Sequence, residues 1–323
     1  MYYRKLRTPK HCIDLSSSVV GGVTIIVSPL EDDLAFNVKA LAPGFGAEVS
    51  GLELREGMDD GLAQTLISIW RDAGGLMVIH DQQLSSEQHI SLSRYFGPLF
   101  GDLGEQPLQD TVSQYIHPDY PEIYRVSNQV DNNGQPRGRK GAGTYWHSDV
   151  SFREYPAQAS ILLGKQVPET GGDTIFADQA RAYEALSDAM KKLIAPLYAW
   201  HDFEIAARTQ YAKPVVVEDD MSGTNRARHP VVRTKLETGR KSIYVNPGFT
   251  SHIEGMHAEE SNALLDYMQK HCTQPQFLYR HRWRKDDLVV WDNRSLMHYA
   301  VMDYPDDAPR YMERCTVIGE RPQ

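Results

Sequence analysis

The spacing of apolar and polar positions becomes regular from Val38 onward. Apolar side chains then recur every three or four residues, which predicts an amphipathic helix with its buried face at Leu62, Leu66, Ile67 and Trp70. Asp59 or Asp60 is a suitable N-cap for this helix, because aspartate side chains accept hydrogen bonds from free backbone N–H groups. Gly74 is expected to end it.

A buried strand and a second helix are predicted next along the chain. Residues 76–79 are all apolar, which is typical of a strand covered on both faces. Ser85 followed by Gln88 is a capping-box pattern for a helix that ends near Gly97. His89 falls in this helix, where we expect a surface or capping histidine.

The remaining chain contains β-prone segments separated by long connections. These segments cover residues 159–163, 173–176, 243–245, 288–291 and 311–318. Helices are predicted after Asp178 and over residues 258–271. With few alternations of strand and helix, the pattern favours a mainly β fold with flanking helices, built as an antiparallel sandwich or barrel. Residues 204–240 show little apolar periodicity and are expected to form an insertion over one mouth.

Composition narrows the class of protein. The chain has 323 residues, of which 41% are hydrophobic and 24% charged, as in soluble globular proteins. A net charge of -9 argues against general binding to nucleic acid or to anionic membranes. The three cysteines, Cys12, Cys272 and Cys315, are widely spaced and give no disulfide framework. Without a recognisable signal peptide or membrane span, we expect a cytoplasmic protein.

The stretch from Thr144 to Phe152 carries the first candidate chemistry. Its aromatic and apolar neighbours favour a half-buried strand, in which His147 and Asp149 would leave the backbone on the same side. One imidazole and one carboxylate form two thirds of the 2-His-1-carboxylate triad that binds non-haem Fe(II). Taken alone, such a triplet is more often a hydrogen-bonded pair or a chance occurrence than a metal site.

A second candidate cluster lies in residues 288–319. His298 follows a predicted buried strand and a turn, so it can point back into the same cavity. Arg310 and Arg314 are four positions apart in a β-prone run and therefore share one strand face. Two guanidinium groups facing an interior need anions to neutralise them, and arginine binds carboxylates in a bidentate manner. The alternative is a surface strand with two exposed arginines.

These residues together resemble the TauD/TfdA family of Fe(II)- and 2-oxoglutarate-dependent dioxygenases. The resemblance rests on His147-x-Asp149, Gly171-Gly172-Asp173-Thr174, Trp291-Asp292-Asn293, His298 and the Arg310/Arg314 pair. It covers residue 38 to the C-terminus in matching order. It implies a double-stranded β-helix (jelly-roll) core, with a catalytic domain at 38–323 after an N-terminal extension at 1–37.

The resemblance also implies a role for each matching residue. His147, Asp149 and His298 correspond to the iron ligands. Thr174 and Arg310 correspond to the pair that holds the far carboxylate of 2-oxoglutarate. Arg314 corresponds to the arginine that binds the acidic group of the substrate in the taurine enzyme of the family.

Two positions depart from the taurine enzyme. Asp102 falls near the place of its substrate-binding histidine, and Gly143 replaces an asparagine four residues before the first iron ligand. Taurine is therefore disfavoured as the substrate. Gly143 is expected to leave room for a larger or aromatic molecule.

The expected reaction hydroxylates a carbon of a small, acidic organic substrate, using Fe(II), 2-oxoglutarate and O2 and releasing succinate and CO2. Fragmentation of the hydroxylated product is compatible with the same chemistry. Three alternatives stay open: desaturation, cyclisation or rearrangement by the same iron chemistry, a zinc hydrolase, and a non-catalytic β-sandwich binding module. The resemblance also favours a homo-oligomer.

Overall fold

The computed structural model describes residues 18–20, 23–25, 36–102, 115–209 and 225–323. Most of the N-terminal extension predicted at 1–37, including Cys12, lies outside the described residues, as does part of the insertion predicted at 204–240.

Strands form most of the regular structure. In chain order they are β1 (Ser18–Val20), β2 (Val23–Ile25), β3 (Asn37–Ala42), β4 (Phe45–Ser50), β5 (Leu76–Ile79), β6 (Ile123–Ser127), β7 (Ala157–Gln166), β8 (Thr174–Asp178), β9 (Tyr198–Asp202), β10 (Arg226–Pro230), β11 (Val232–Thr234), β12 (Lys241–Ile243), β13 (Thr250–Ile253), β14 (Leu278–His281), β15 (Leu288–Asp292), β16 (Leu296–Ala300) and β17 (Tyr311–Ile318). The helices are α1 (Asp60–Asp72), α2 (Ser86–Ser93), α3 (Gln179–Glu184), α4 (Asp188–Ile194), α5 (Phe203–Thr209) and α6 (Ala258–Cys272).

A large sheet of seven strands has the order β3-β4-β5-β15-β7-β17-β6. Every neighbouring pair is antiparallel except β4 and β5. The strand β15 shows how the sequence separates the two faces, since side chains alternate along a strand. Leu288 and Val290 pack in a core with residues of α1 and α2, whereas Val289 and Trp291 belong to the core on the other face.

A small sheet with the order β14-β8-β16 lies against that other face. Phe176 of β8 and Leu296 of β16 share one hydrophobic core with Val289 and Trp291 of the large sheet. The two sheets thus form a sandwich that does not close into a barrel. The prediction of a mainly β protein with flanking helices and a jelly-roll core is confirmed.

A third core lies beside the sandwich. It joins β9, β11–β13 and the helices α3, α4 and α6 through the buried residues Ala182, Ile194, Ala199, Val232, Ile243, Ile253 and Met268. Of the insertion predicted at 204–240, the described part includes most of α5, where Ala206 and Ala207 are fully buried, and β10, which pairs with β9. Its place over one mouth of the fold stays a prediction. Among the described residues, no helix is both long enough and apolar enough to cross a lipid bilayer.

The prediction that His89 is a surface or capping histidine is wrong. It is fully buried on α2, and its Nε2 lies 3.2 Å from the carbonyl oxygen of Ile161 in β7. Burial lowers the pKa of His89 to about 3, so the imidazole is neutral at physiological pH. His89 thus lies in the predicted helix, but on the face that packs against the large sheet and not at the surface.

Candidate active site

The segment that carries the first two candidate ligands is a turn rather than the predicted strand. His147 makes a single antiparallel bridge with His298 of β16, through hydrogen bonds of 3.1 and 2.8 Å between their backbone groups. After it the chain turns at Val150, which has a φ of 58°. A β-branched residue in the left-handed region is strained, and the contacts around Asp149 hold it there.

Three side chains that the sequence singled out converge at this turn. His147, Asp149 and His298 are buried, and each offers a ligand atom within 4.8 Å of the other two. His147 Nε2 lies 3.7 Å from Asp149 Oδ1, and His298 Nε2 lies 3.8 Å from Asp149 Oδ2. Two imidazoles and one carboxylate at these separations match the donor set of a 2-His-1-carboxylate triad.

The hydrogen bonds of the triad leave the Nε2 lone pair of His147 free and occupy one lone pair on each carboxylate oxygen of Asp149. His147 Nδ1 lies 2.8 Å from the carbonyl oxygen of Tyr145. A carbonyl can only accept, so Nδ1 carries the proton and the lone pair of Nε2 is available to a metal. Asp149 Oδ2 accepts a hydrogen bond from Ser160 (2.7 Å), and Oδ1 accepts one from Arg314 (2.6 Å).

The protonation states also suit a divalent cation. Burial lowers the pKa of both His147 and His298. Burial alone would raise the pKa of Asp149, but Arg314 and the two histidines outweigh it and lower that pKa to about 2. At neutral pH the site therefore presents neutral imidazoles and an ionised carboxylate, which are the forms that bind metals.

One cavity connects the triad with the residues predicted to bind 2-oxoglutarate. It encloses about 440 Å³ including its open mouth, and its walls include His147, His298, Thr174, Arg310 and Arg314. Arg310 is 5% exposed, and none of the ion pairs formed by the described residues involves it. A buried guanidinium without a counter-ion is costly, so this cavity is built for an anion.

Thr174, at the start of β8, is oriented by a residue that sequence reasoning missed. The Trp283 indole N–H donates to Thr174 Oγ1 at 3.0 Å. Because the hydroxyl oxygen already accepts this bond, the hydroxyl proton of Thr174 is available to a second acceptor in the cavity.

An aromatic chamber lies on the other side of Gly143 and His147. Its walls include Tyr124, Tyr145, Phe152, Phe203 and Phe249, together with Arg139, Asp149 and Arg314. Phe203 and Phe249 carry no local sequence signal, because they lie far from the motif in the chain and contact Phe152 only in the fold. Arg139 belongs to a charged run that fits a solvated loop equally well.

The two predicted substrate contacts that depart from the taurine enzyme lie in different places. Asp102 does not line either cavity; its carboxylate is held by Arg94 (2.6 Å) and by the backbone N–H of Leu99 (2.9 Å). Gly143 lines both cavities, and the room it leaves for a substrate stays a prediction. It has a φ of 75°, and a Cβ there would lie 2.8 Å from His147 Cε1, so glycine permits the close approach of the loop to the imidazole.

Comparison with known proteins decides the family. The chain matches the family model described as "Taurine catabolism dioxygenase TauD, TfdA family" over residues 37–316. The chain belongs to the TauD/TfdA family.

Relatives of this TauD/TfdA protein differ in the substrates that their names describe. An alpha-ketoglutarate-dependent 2,4-dichlorophenoxyacetate dioxygenase of Cupriavidus pinatubonensis is 32% identical over 285 residues, covering 87% of this chain and 96% of the relative. An alkylsulfatase of Acinetobacter baylyi is 30% identical and covers 92% of this chain and 88% of its own length. The crystal structure of AAD-2 in complex with Mn(II) and N-oxalylglycine has a TM-score of 0.73 and 31% identity, covering 90% of this chain and 99% of that one.

Membership of the TauD/TfdA family establishes the class of enzyme. The protein is an Fe(II)- and 2-oxoglutarate-dependent dioxygenase that acts on a small organic molecule with O2 as co-substrate. The zinc hydrolase and the non-catalytic binding module are therefore set aside. The donor set and protonation states of the triad fit Fe(II), which prefers this mixture of imidazole and carboxylate ligands.

Proposed function

We propose that His147, Asp149 and His298 hold the Fe(II) of this dioxygenase and that the enzyme hydroxylates a small acidic molecule with an aromatic or bulky apolar body. The observation that carries the proposal is the shared cavity in which a buried triad meets an unpaired buried arginine. A metal site alone would not need Arg310, and an arginine pocket alone would not need the triad.

The co-substrate accounts for the charge of Arg310. The guanidinium would bind the far carboxylate of 2-oxoglutarate, and the hydroxyl of Thr174 would donate a second hydrogen bond to it. Arg310 is also fixed through its backbone, since its N–H donates to Asn128 Oδ1 at 2.9 Å and its carbonyl accepts from Ser127 Oγ at 2.9 Å. These contacts orient the co-substrate before reaction, which is a main source of rate enhancement.

The aromatic chamber suggests where the primary substrate binds. Five aromatic side chains offer an apolar surface, and the Arg314 guanidinium lies 5.1 Å from the centre of the Tyr124 ring. Arg314 lines this chamber while its Nη1 donates to Asp149, so the guanidinium can offer its other N–H groups to an acidic group. The relatives named for 2,4-dichlorophenoxyacetate and as an alkylsulfatase are consistent with such an acid.

When bound, Fe(II) would couple the oxidative decarboxylation of 2-oxoglutarate by O2 to hydroxylation of the substrate. The residues of this chain would bind and orient the two organic acids and limit the access of water. Phe152, Phe203 and Phe249 pack against one another at ring-centroid distances of 5.0 to 6.4 Å and form a dry wall of the chamber.

An anaerobic titration tests the metal and co-substrate sites together. Fe(II) and 2-oxoglutarate added to the apo protein are expected to give a weak visible charge-transfer band. His147→Ala is expected to abolish the band. Arg310→Ala should require about 10- to 100-fold more 2-oxoglutarate, the range for losing a hydrogen bond to a charged group.

Arg137→Ala is the matched control. Arg137 is exposed on the loop before the triad, and its substitution removes the same positive charge. It should leave the titration unchanged. Folded wild-type protein without the band would refute the proposal.

The substrate is tested by succinate release in air. Small carboxylic acids, sulfonic acids and sulfate esters with an aryl group are compared with their neutral esters or amides. We expect release of succinate to be stimulated by acids and not by the neutral partners. Equal stimulation by both would contradict the assignment of Arg314 to an acidic group.

A further inference from the structure

We infer that Ser160 and Asn293 are positioning residues that fix the Asp149 carboxylate through a chain of hydrogen bonds with only one possible direction. This inference rests on the proposed role of Asp149 as a metal ligand. The three side chains are buried, with exposed fractions of 0% for Ser160, 0% for Asn293 and 4% for Asp149. The hydrogen bonds between them are therefore not in competition with bulk water.

The chain begins at the amide of Asn293, whose orientation is determined by its neighbours. Asn293 Oδ1 accepts hydrogen bonds from the backbone N–H of Asp149 (3.0 Å) and from the Trp291 indole N–H (3.1 Å). Both partners can only donate, so the oxygen must face them and the amide nitrogen must face the other way. Asn293 Nδ2 then donates to Ser160 Oγ at 2.9 Å.

The hydroxyl of Ser160 accepts one hydrogen bond of this series and donates the next. Its oxygen accepts from Asn293, so its only proton is left for Asp149 Oδ2, 2.7 Å away. Arg314 donates to the other oxygen, Oδ1, at 2.6 Å. Each carboxylate oxygen thus has one donor on the protein side, which fixes the plane of the carboxylate.

The backbone that carries Ser160 and Asn293 is held in place by the large sheet. Ser160 of β7 lies directly opposite Trp291 of β15 in the large sheet. Asn293 follows β15, and its backbone N–H donates to the carbonyl oxygen of Gln158 at 2.8 Å. The neighbouring Asp292 is fully buried between Lys235 (2.8 Å) and Arg294 (2.8 Å), which hold this turn in place. Asn293 therefore has little freedom to follow a displaced carboxylate.

Two variants interrupt this series of hydrogen bonds at different points. Ser160→Ala removes the donor to Asp149 Oδ2. Asn293→Asp keeps the size of the side chain but turns the donor that faces Ser160 into an acceptor, which competes with Asp149 for the hydroxyl proton. The added negative charge alone would strengthen binding of a cation, so weaker binding in this variant would report on the direction of the hydrogen bonds.

Ser148→Ala is the matched control. Ser148 is also buried and lies beside Asp149 in the chain, but its hydroxyl donates to the carbonyl oxygen of Leu296 at 2.9 Å. The same chemical change is thus made next to the triad without removing a donor from the carboxylate.

The experiment measures the Kd of Mn(II) for each full-length apo protein by electron paramagnetic resonance, with the Tm of the apo form as a separate readout. We expect Ser160→Ala and Asn293→Asp to weaken Mn(II) binding about 10- to 100-fold, as outer contacts of metal ligands commonly do. Ser148→Ala should stay within about twofold of wild type. A purely structural role would lower the Tm of the apo protein and leave the Kd of Mn(II) unchanged below that temperature.

The outcomes separate this inference from the proposed function. Wild-type protein that binds no Mn(II), or His147→Ala that binds it as well as wild type, would overturn both. Wild-type binding that is lost in His147→Ala but unchanged in folded Ser160→Ala would overturn the role of Ser160 and Asn293 alone. If either variant fails to fold, the other still decides the question.

Discussion

At the scale of single residues, the candidate site shows which roles a sequence can reveal. Thr174 and Arg310 were predicted because they occupy positions in a recognisable motif, and both line the cavity beside the triad. Trp283 was not found, since it reaches Thr174 across 109 positions and belongs to no motif. Ser160 was missed for the same reason, whereas Asn293 was present in the Trp291-Asp292-Asn293 motif without a role.

Trp283→Phe tests whether the indole N–H orients the hydroxyl of Thr174. The substitution keeps an aromatic ring in the core but removes the donor. The hydroxyl can then turn away from the cavity, so the concentration of 2-oxoglutarate needed for half of the charge-transfer band should rise about tenfold, equivalent to about 1.4 kcal/mol. An unchanged titration in a protein with normal Tm would mean that the indole only packs.

Gly143→Ala tests the close approach of the loop to His147. Gly134→Ala is its control, because Gly134 has nearly the same φ (76°) and a new Cβ there would have no atom of a described residue within 4 Å. Both variants should lose about 1–2 kcal/mol of stability in urea, since alanine disfavours the left-handed conformation. Only Gly143→Ala should weaken Mn(II) binding, because its Cβ displaces the imidazole. Equal Kd values for Mn(II) in both variants would contradict this.

At the scale of elements, local patterns were reliable where local interactions decide the structure. The predicted strand at 76–79 and the strand at 311–318 have the predicted bounds, and the capping box of Ser85 and Gln88 is present at the start of α2. The strand predicted at 144–152 was wrong because Asp149 is bound by Ser160 and Asn293, which are distant in the chain. Long-range hydrogen bonds outweighed the β propensity of the aromatic residues there.

Ser85→Ala tests the contribution of the capping box. Ser85 Oγ accepts from the N–H of Gln88, and the Gln88 side chain accepts from the N–H of Ser85 at 2.7 Å. Loss of the cap should lower the free energy of unfolding in urea by about 1 kcal/mol. Ser68→Ala, on an exposed position inside α1, should change it by less than about 0.5 kcal/mol. A loss as large in Ser68→Ala would show that the cap is not the cause.

At the scale of the whole molecule, one buried histidine links parts of the large sheet that are distant in sequence. His80 follows β5, and its Nδ1 lies 2.6 Å from Asp287 while its Nε2 lies 2.8 Å from Glu48 of β4. The hydrogen bond to Asp287 has the largest effect on the pKa of His80; with the help of Glu48 it outweighs burial and raises that pKa above 6.5.

The stability gained from His80 should therefore depend on pH. A pKa that is higher in the folded state means that the contribution is complete below the unfolded pKa of about 6.5 and is lost as the pH rises through the folded value. The difference in unfolding free energy between wild type and His80→Gln should shrink as urea titrations move from pH 5.5 to pH 9. A difference that grows over this interval would contradict the assignment.

The two sheets contribute jointly to each proposed ligand site. Thr174 and His298 lie on β8 and β16 of the small sheet, whereas Arg310 precedes β17 and Ser160 lies on β7 of the large sheet. Bound iron and 2-oxoglutarate would thus fasten one layer of the sandwich to the other, and protein lacking them would open more readily at that end. The apo protein should therefore be cut faster by an added protease than the protein loaded with both ligands, although its sequence is the same.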